Sequence, residues 1–431
     1  MDQFNIESER PSVMESQEYE YQEIQTDNSV VNNDQQFRME LKDTSSFTNL
    51  NRGYLQVRFK LETALGVDFA GNDNVALNSS IGTLFSRAVL RINNMVVEST
   101  DNCHLVNALK PIVLYSRDYS ESTSTNEMFY LHSGDALDST ITPYAKAGAT
   151  INDLVISDNT NYNQGHAKAR ARLNNSSVVT AIIPLENLVD FASVDRVITN
   201  CNVALELTRS QPSYHLFSDG VAAAARVNVL KMSLWLPRIV PQPELEMELK
   251  SQFAAGVVSN FRFSKWNGYL PTPVARAGTH NIRVATMSER VLGVFIQAKA
   301  SAITQQVNSN KTENVLTDVF CRLNGKQYPN RSYSSLKVDD SEKSRAYLQL
   351  LDYQSRGADV NSGVQLSRRG WDNQSIYYVN TEAQQSNDSK SPTTVEVQCT
   401  TDGACQLHIV LVTEKQVSIS YAGSQPQVTT F

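Results

Sequence analysis

Apolar and polar residues alternate along most of this chain in runs too short for helices. Tyr54-Leu55-Gln56-Val57-Arg58-Phe59, Asn202-Val203-Ala204-Leu205-Glu206-Leu207 and Thr394-Val395-Glu396-Val397-Gln398 keep a period of two. That period puts every second side chain on one face of a strand. Further short apolar runs read as strands at Ala88–Ile92, Ser177–Pro184, Val227–Leu236, Asn281–Val284, Val291–Ile296, Val319–Leu323, Ile376–Val379 and Leu407–Val412. Polar linkers rich in Asn, Ser, Asp and Gly separate them. Many short strands spaced by turn residues predict β-sandwiches.

Helical patterning is scarce. Asn102 to Tyr115 places Leu105, Ala108, Leu109 and Ile112 near one face. Leu185 to Phe191 reads as a short turn after Pro184. Ser341 to Gln354 groups Tyr347, Leu350 and Leu351, with Ser341 as N-cap. These helices fall between strands and predict no layer of their own. Pro237, Pro241 and Pro243 punctuate the middle of the chain, and because proline cannot donate to a ladder the sheet is expected to end there. Residues 35–241 and 242–417 have similar lengths and the same texture, which predicts two sandwiches in tandem followed by a tail, 418–431. Long polar segments at 119–162, 209–225, 300–314 and 381–392 predict functional surfaces or partner contacts.

Composition sharpens this picture. A chain of 431 residues suits two domains, and 41% hydrophobic residues exclude wholesale disorder. The net charge of −7 is uneven: residues 1–34 hold nine acids and one base, whereas the remaining 397 hold 36 acids and 37 bases. The sequence thus reads as an acidic, flexible arm on a neutral body. The balance argues against a dedicated nucleic-acid binder, so no sequence-specific nucleic acid is expected as partner. The first 30 residues lack an apolar run, which predicts no secretory signal, and no apolar stretch is long enough for a transmembrane segment. Cys103, Cys201, Cys321, Cys399 and Cys405 read as reduced core cysteines of an intracellular protein. Cys399 and Cys405 flank Thr401-Asp402-Gly403, so a disulfide across a hairpin is the lesser alternative.

Candidate chemistry is sparse. The one Gly-Lys, in Leu323-Asn324-Gly325-Lys326-Gln327, reads as a type I′ hairpin turn and not as a phosphate loop. The six histidines have no ligand spacing, so no metal or cofactor is expected. His408 sits in an apolar strand and is expected to point outward or to be hydrogen-bonded. Cys103-His104 are adjacent in sequence, whereas catalytic pairs meet through the fold. Lys168, Arg170 and Arg172 alternate, which on a strand would align them on one face; Arg368-Arg369 precede Trp371. Either cluster suits a phosphate or a carboxylate, or is simply a solvated face, and no stacking aromatics interleave the first. With no convergent catalytic set, the expectation is a structural or binding protein and not an enzyme.

Several passages, in order over roughly residues 40–415, resemble the double jelly-roll major capsid proteins of eukaryotic DNA viruses, of the Polinton-like virus, adintovirus and virophage type. They are Leu77 to Ser86 with Leu84-Phe85, then Val89 to Val97 with Asn93-Asn94; Ile183-Pro184-Leu185 through Leu205 to Arg209; Leu234-Trp235-Leu236-Pro237-Arg238 with Pro243-Glu244-Leu245; Asp318 to Pro329 with Asn324-Gly325 and Tyr328-Pro329; Arg345-Ala346-Tyr347; Ile376 to Asn380; and Leu407 to Val412. The resemblance implies an all-β chain of two tandem eight-stranded jelly rolls with short helices in the connections. It implies a homotrimer forming a pseudo-hexagonal capsomer of an icosahedral shell, contacts with neighbouring capsomers and with minor capsid, cement or penton proteins, and a place in the virion capsid, assembled inside the host cell. It places the acidic arm at the capsid interior, where Glu15, Glu18, Glu20 and Glu23 are expected to meet a basic partner, since like charges exclude DNA and anionic membranes. Rival readings are a carbohydrate-binding sandwich, for which Trp235, Trp266 and Trp371 are dispersed; a single-roll vertex protein, which would fill only half the length; and a cupin-like enzyme, whose histidines should cluster.

Overall fold

A computed structural model of the chain describes residues 16–26, 36–42, 46–69, 75–131, 164–173, 177–218, 224–302, 316–333, 341–355, 366, 368, 371, 374, 376–383, 392–421 and 426–430. Strands dominate. The first half holds β1 (Ser16–Gln25), β2 (Gln36–Leu41), β3 (Phe47–Asn49), β4 (Tyr54–Thr63), β5 (Val75–Leu77), β6 (Phe85–Ile92), β7 (Met95–Asp101), β8 (Val179–Pro184), β9 (Val197–Thr199), β10 (Val203–Arg209), β11 (Leu216–Ser218) and β12 (Ala225–Pro241). The second half holds β13 (Val258–Gly268), β14 (Thr272–Val274), β15 (Gly278–Met287), β16 (Arg290–Lys299), β17 (Thr317–Leu323), β18 (Lys326–Tyr333), β19 (Tyr377–Asn380), β20 (Thr393–Thr401), β21 (Cys405–Ser420) and β22 (Gln427–Thr430).

The two halves trace one path. In the first, β1-β12-β4-β8 form one sheet and β2-β10-β6-β7 the other; in the second, β13-β21-β16-β19 face β15-β20-β17-β18. Without the short β3, β5, β9, β11, β14 and β22, each half pairs its first, eighth, third and sixth strands in one sheet and its second, seventh, fourth and fifth in the other. Both are eight-stranded jelly rolls, and all pairings are antiparallel. The expected alternation is carried out: Leu55, Val57, Phe59 and Leu61 of β4 are buried, as are Val395, Val397 and Cys399 of β20, while the residues between them are not fully covered. Asn93-Asn94 (φ 49° and 64°) and Asn324-Gly325 (φ 50° and 83°) close the hairpins β6–β7 and β17–β18 with positive φ at both central positions.

Three boundaries differ from the sequence expectation. The acidic arm is not free throughout: β1 is the first strand of the first roll, which begins at Ser16 and not near residue 35, and it pairs with β12 from Ser16↔Pro241 to Gln25↔Ser233. The tail after residue 417 is structured too, since β21 runs to Ser420 and β22 pairs with it. Finally, β12 continues through Pro237. Its ladder with β4 ends at Trp235, so the missing N–H of Pro237 costs no bond to β4.

Buried apolar residues form two clusters that cross the midpoint of the chain. Phe261 and Phe263 of β13, Val417 and Ile419 of β21, Tyr421 and Val428 belong to the core of the first roll. Val106, Leu109, Ile112 and Val113 of the helix Cys103–Leu114 belong to the core of the second. This helix was expected to hide one face and is instead buried nearly all round, because it lies between the two cores. Gly268 makes room for it: a Cβ there would stand 2.9 Å from the Asn102 carbonyl.

The rolls lie side by side in the same orientation. Connections after the first, third, fifth and seventh strands of a roll gather at one end, and those after the second, fourth and sixth at the other. The side chain of Arg196, between the sixth and seventh strands of the first roll, donates to the Asn260 carbonyl at the start of β13 (2.7 Å). Asn93, in the turn after the fourth strand, donates to the Pro426 carbonyl (2.9 Å). At the opposite end Gln354, between the fifth and sixth strands of the second roll, donates to Ile112 (3.4 Å). By their place in this order, the long segments 119–162, 209–225 and 300–314 join strands at that second end. Segment 381–392 joins strands at the first end, where Ser16 and β22 also lie.

Candidate functional site and assembly surfaces

The residues singled out by sequence do not converge on one site. Leu84 and Phe85 are buried where β6 begins. Asn93 accepts from the Asn202 N–H (2.8 Å) and ties its turn to the chain's end through Pro426. Pro184 ends β8 opposite Tyr54. Trp235 and Pro237 lie on β12. Asn324 Oδ1 accepts from the Thr394 N–H (2.8 Å) beside Gly325. Pro329 follows a cis peptide bond in β18, and Tyr347 Oη donates to the Leu366 carbonyl (2.8 Å) in the second roll. They shape two rolls and form no catalytic centre.

The arm residues divide. Glu15 lies outside the described residues, and of Glu18 only the backbone, paired with Val240, is described. Glu20 meets Arg238 (3.0 Å); Glu23 meets Lys231 (2.6 Å) and accepts from Ser233 Oγ (2.7 Å), which holds its carboxyl below the usual range. The expectation of a basic partner in another molecule is therefore corrected for Glu20 and Glu23: their partners are bases and a hydroxyl of β12 in the same chain. Sequence reasoning missed this because ion pairs across a ladder join residues some 200 positions apart.

A run of aromatic rings crosses the outside of the same sheet. Tyr19 and Tyr21 stand edge to face (5.9 Å), Tyr21 meets Tyr54 (5.4 Å), and Tyr54 stacks on Trp235 (6.1 Å, 15° between planes). Tyr19 is half exposed and Tyr21 nearly so. The matching sheet of the second roll carries polar pairs outside, Arg262 with Gln416 (3.1 Å) and Arg290 with Glu414 (3.5 Å).

Between the rolls lies a buried charged cluster that the sequence did not reveal, because its members are far apart along the chain. Lys110, on the helix Cys103–Leu114, contacts Asp190 Oδ1. Asp190 Oδ2 accepts from the backbone N–H of Trp266 on β13 (2.6 Å). Glu98 of β7 accepts from the N–H groups of Asp190 (3.0 Å) and Phe191 (2.7 Å) and from Thr100 Oγ1 (3.1 Å). Burial, and then the charge of Asp190, pushes the Glu98 carboxyl up to about 7. Trp266 stacks on Phe295 (5.0 Å), and Lys110 Nζ sits 5.9 Å from the centre of the Trp266 ring. A second buried carboxyl, Glu127, accepts from Tyr115 (2.6 Å), Tyr119 (2.9 Å) and Asn187 (2.9 Å); burial still raises it to about 7.

Other candidates resolve as follows. Lys168, Arg170 and Arg172 lie on a helix, Gln164–Leu173, and not on a strand; Arg172 is turned in to bond the Thr125 carbonyl. Arg368 stacks on Tyr347 and Trp371. Cys399 and Cys405, like the other cysteines, are buried and form no disulfide. His408 is neither outward nor bonded: the ring is partly buried and its Nε2 is enclosed without a hydrogen-bond partner. Among the described residues no three His, Cys, Asp or Glu side chains are placed to hold a metal, and no helix is long and apolar enough to cross a membrane.

No protein-family model and no curated protein matches the chain. Solved structures do. A chain of the Sputnik virophage, determined by cryo-EM, superposes with a TM-score of 0.63 at 9% identity, covering 99% of this chain and 91% of its own. The mavirus major capsid protein gives 0.57 at 11% identity, covering 95% and 90%. The Faustovirus major capsid protein gives 0.51 at 9%, covering 93% and 90%. At such identity the likeness is one of fold, and it extends over both jelly rolls.

Proposed function

We propose that this chain is a major capsid protein, a structural protein of an icosahedral virion. The observation that carries the reading is the pairing of two complete eight-stranded rolls in one chain, side by side with like ends together. Three such chains around a three-fold axis present six rolls, a pseudo-hexagonal tile that closes by rotation and packs against neighbouring tiles. The near-neutral body suits a molecule that meets many copies of itself. The fold likeness to the mavirus and Faustovirus major capsid proteins over nearly the whole chain supports the same role.

On this reading the long connections at one end of the rolls face outward. Residues 1–15, which enter β1 at the other end, face the interior and meet a basic surface of a minor capsid, cement or penton protein. Assembly takes place inside the host cell. Solution mass and negative-stain imaging of the purified chain test the proposal: a trimer seen as hexagonal tiles is expected, and a stable monomer at high concentration overturns it. The exposed rings of Tyr19 and Tyr21, with the half-buried Tyr54 beside them, favour one rival, a carbohydrate platform, because sugars stack on such flat apolar faces. Binding on a glycan array that is lost in Tyr21→Ala would support it.

A further inference from the structure

Lys110, Asp190 and Glu98 are each more than nine-tenths buried and come from three separate elements of the first roll. The ammonium of Lys110 touches a carboxylate oxygen of Asp190, so the nucleophile and the carbonyl carbon it would attack are held together in a buried site. The other Asp190 oxygen is bound by the Trp266 backbone N–H, the place where negative charge grows when that carbon becomes tetrahedral. Glu98 lies in the same buried cluster, its carboxyl bound by the backbone N–H groups of Asp190 and Phe191, which fixes the turn that carries Asp190. An aromatic wall, Trp266 on Phe295, helps to shield the group.

We propose that Lys110 and Asp190 join in an intramolecular amide bond, formed spontaneously after folding. The reaction starts from the Lys110 ammonium and the Asp190 carboxylate. One proton passes from Nζ to Asp190 Oδ1, leaving an amine and a carboxylic acid. The Nζ lone pair attacks Cγ while the oxyanion on Oδ2 is held by Trp266 N–H. A second proton passes from Nζ to the Oδ1 hydroxyl it touches. The Nζ–Cγ bond forms, the Cγ–Oδ1 bond breaks, and one water leaves carrying both protons. No oxidant, metal or cofactor is needed. The bond would staple the helix Cys103–Leu114 to the turn after β8, closing a loop that includes the long segment 119–162, and it stands independently of the capsid reading.

Mass spectrometry of the denatured full chain is the test. The native sequence is expected to be lighter than calculated by one water, and a protease digest is expected to yield one branched peptide joining Lys110 to Asp190. Lys110→Arg is expected to show the full mass and to lack the branched peptide. Asp190→Asn is expected to lose ammonia in place of water, the same acyl transfer with a different leaving group. The full calculated mass in the native sequence, or a water loss mapped to other residues, overturns the proposal. The measurement on the native sequence decides the matter even where a variant fails to fold.

Discussion

The first strand of each roll does the same topological work by different physical means. In the second roll, β13 buries Phe261, Phe263 and Trp266, and its aromatic rings lock into Phe191 of the first roll (5.1 and 5.6 Å) and Phe295 of its own. In the first roll, β1 buries only Ile24 among its described side chains; its hold on β12 is the ladder, two ion pairs and a hydroxyl. One strand is anchored by apolar burial, which salt scarcely touches, and the other by exposed charge, which salt screens. A chain built this way makes the closure of the first roll more sensitive to salt than that of the second.

The largest expected effect sits on the well-anchored strand. Trp266→Ala should cost about 3–5 kcal/mol, read from the urea midpoint, because it leaves a cavity against Phe295 and Tyr353. An equal loss from any substitution in β1 would end the contrast. Ile24→Ala should cost about 2–3 kcal/mol, toward the lower end for such a change, since the strand sits at a sheet edge where neighbours can collapse. Its loss should also speed cleavage of residues 1–25 by added protease while the second roll stays intact.

Buried titratable groups sharpen the comparison through pH. Burial lowers His104 to about 4 and His215 and His408 to about 3, each from 6.5. Their contribution is full above pH 6.5 and is lost as pH falls toward those values. Glu98 and Glu127 are raised from 4.5 to about 7, so theirs is full below pH 4.5 and lost as pH rises through 7. Between 4.5 and 6.5 three imidazoles are opposed by two carboxyls, leaving about one proton, about 1.4 kcal/mol per pH unit, in favour of the higher pH; below 4.5 the imidazoles act alone and the fold is expected to fail more steeply. Among these, all but His408 belong to the first roll. His104→Phe, which keeps a ring against Tyr214 (4.2 Å), should flatten the acid limb by one proton, about 1.4 kcal/mol per pH unit. An unchanged slope would show that His104 is not neutral in the fold. The smallest effect is Glu20→Gln, about 0.2–1 kcal/mol for an exposed pair and vanishing in molar salt. A salt-independent loss there would show that β1 is held by something other than charge.

Much of this architecture was legible because its signals are local. The alternation of β4 and β20 and the Asn-Asn and Asn-Gly turns each depend on neighbouring residues and appear where expected. The helix Cys103–Leu114 was found, but not that both its sides are covered, since the second core comes from residues after 257. From sequence β1 resembles an acidic arm because its outer face carries Tyr19, Tyr21 and Glu23 and its described inner face only one buried apolar side chain, so the period of two has almost no hydrophobic contrast. Lys168, Arg170 and Arg172 misled in the other direction: their spacing of two mimics a strand, yet alanines at 167, 169 and 171 favour a helix. The Lys110–Asp190–Glu98 cluster has no sequence signature, because the fold alone brings together residues 12 and 80 positions apart.

The separation of the two ends has a consequence for how such a chain can change over generations. Longer or shorter connections between the third and fourth, fifth and sixth, or seventh and eighth strands alter one end of the molecule and leave both ladders untouched. The other end, apart from segment 381–392, carries tight two-residue turns, the bond from Asn93 to Pro426 and the entry into β1, so an insertion in those places breaks a hairpin or pulls on both rolls together. Sequence drift should therefore accumulate at one pole of the molecule and be held back at the other, and foreign peptides grafted for display belong at the permissive pole.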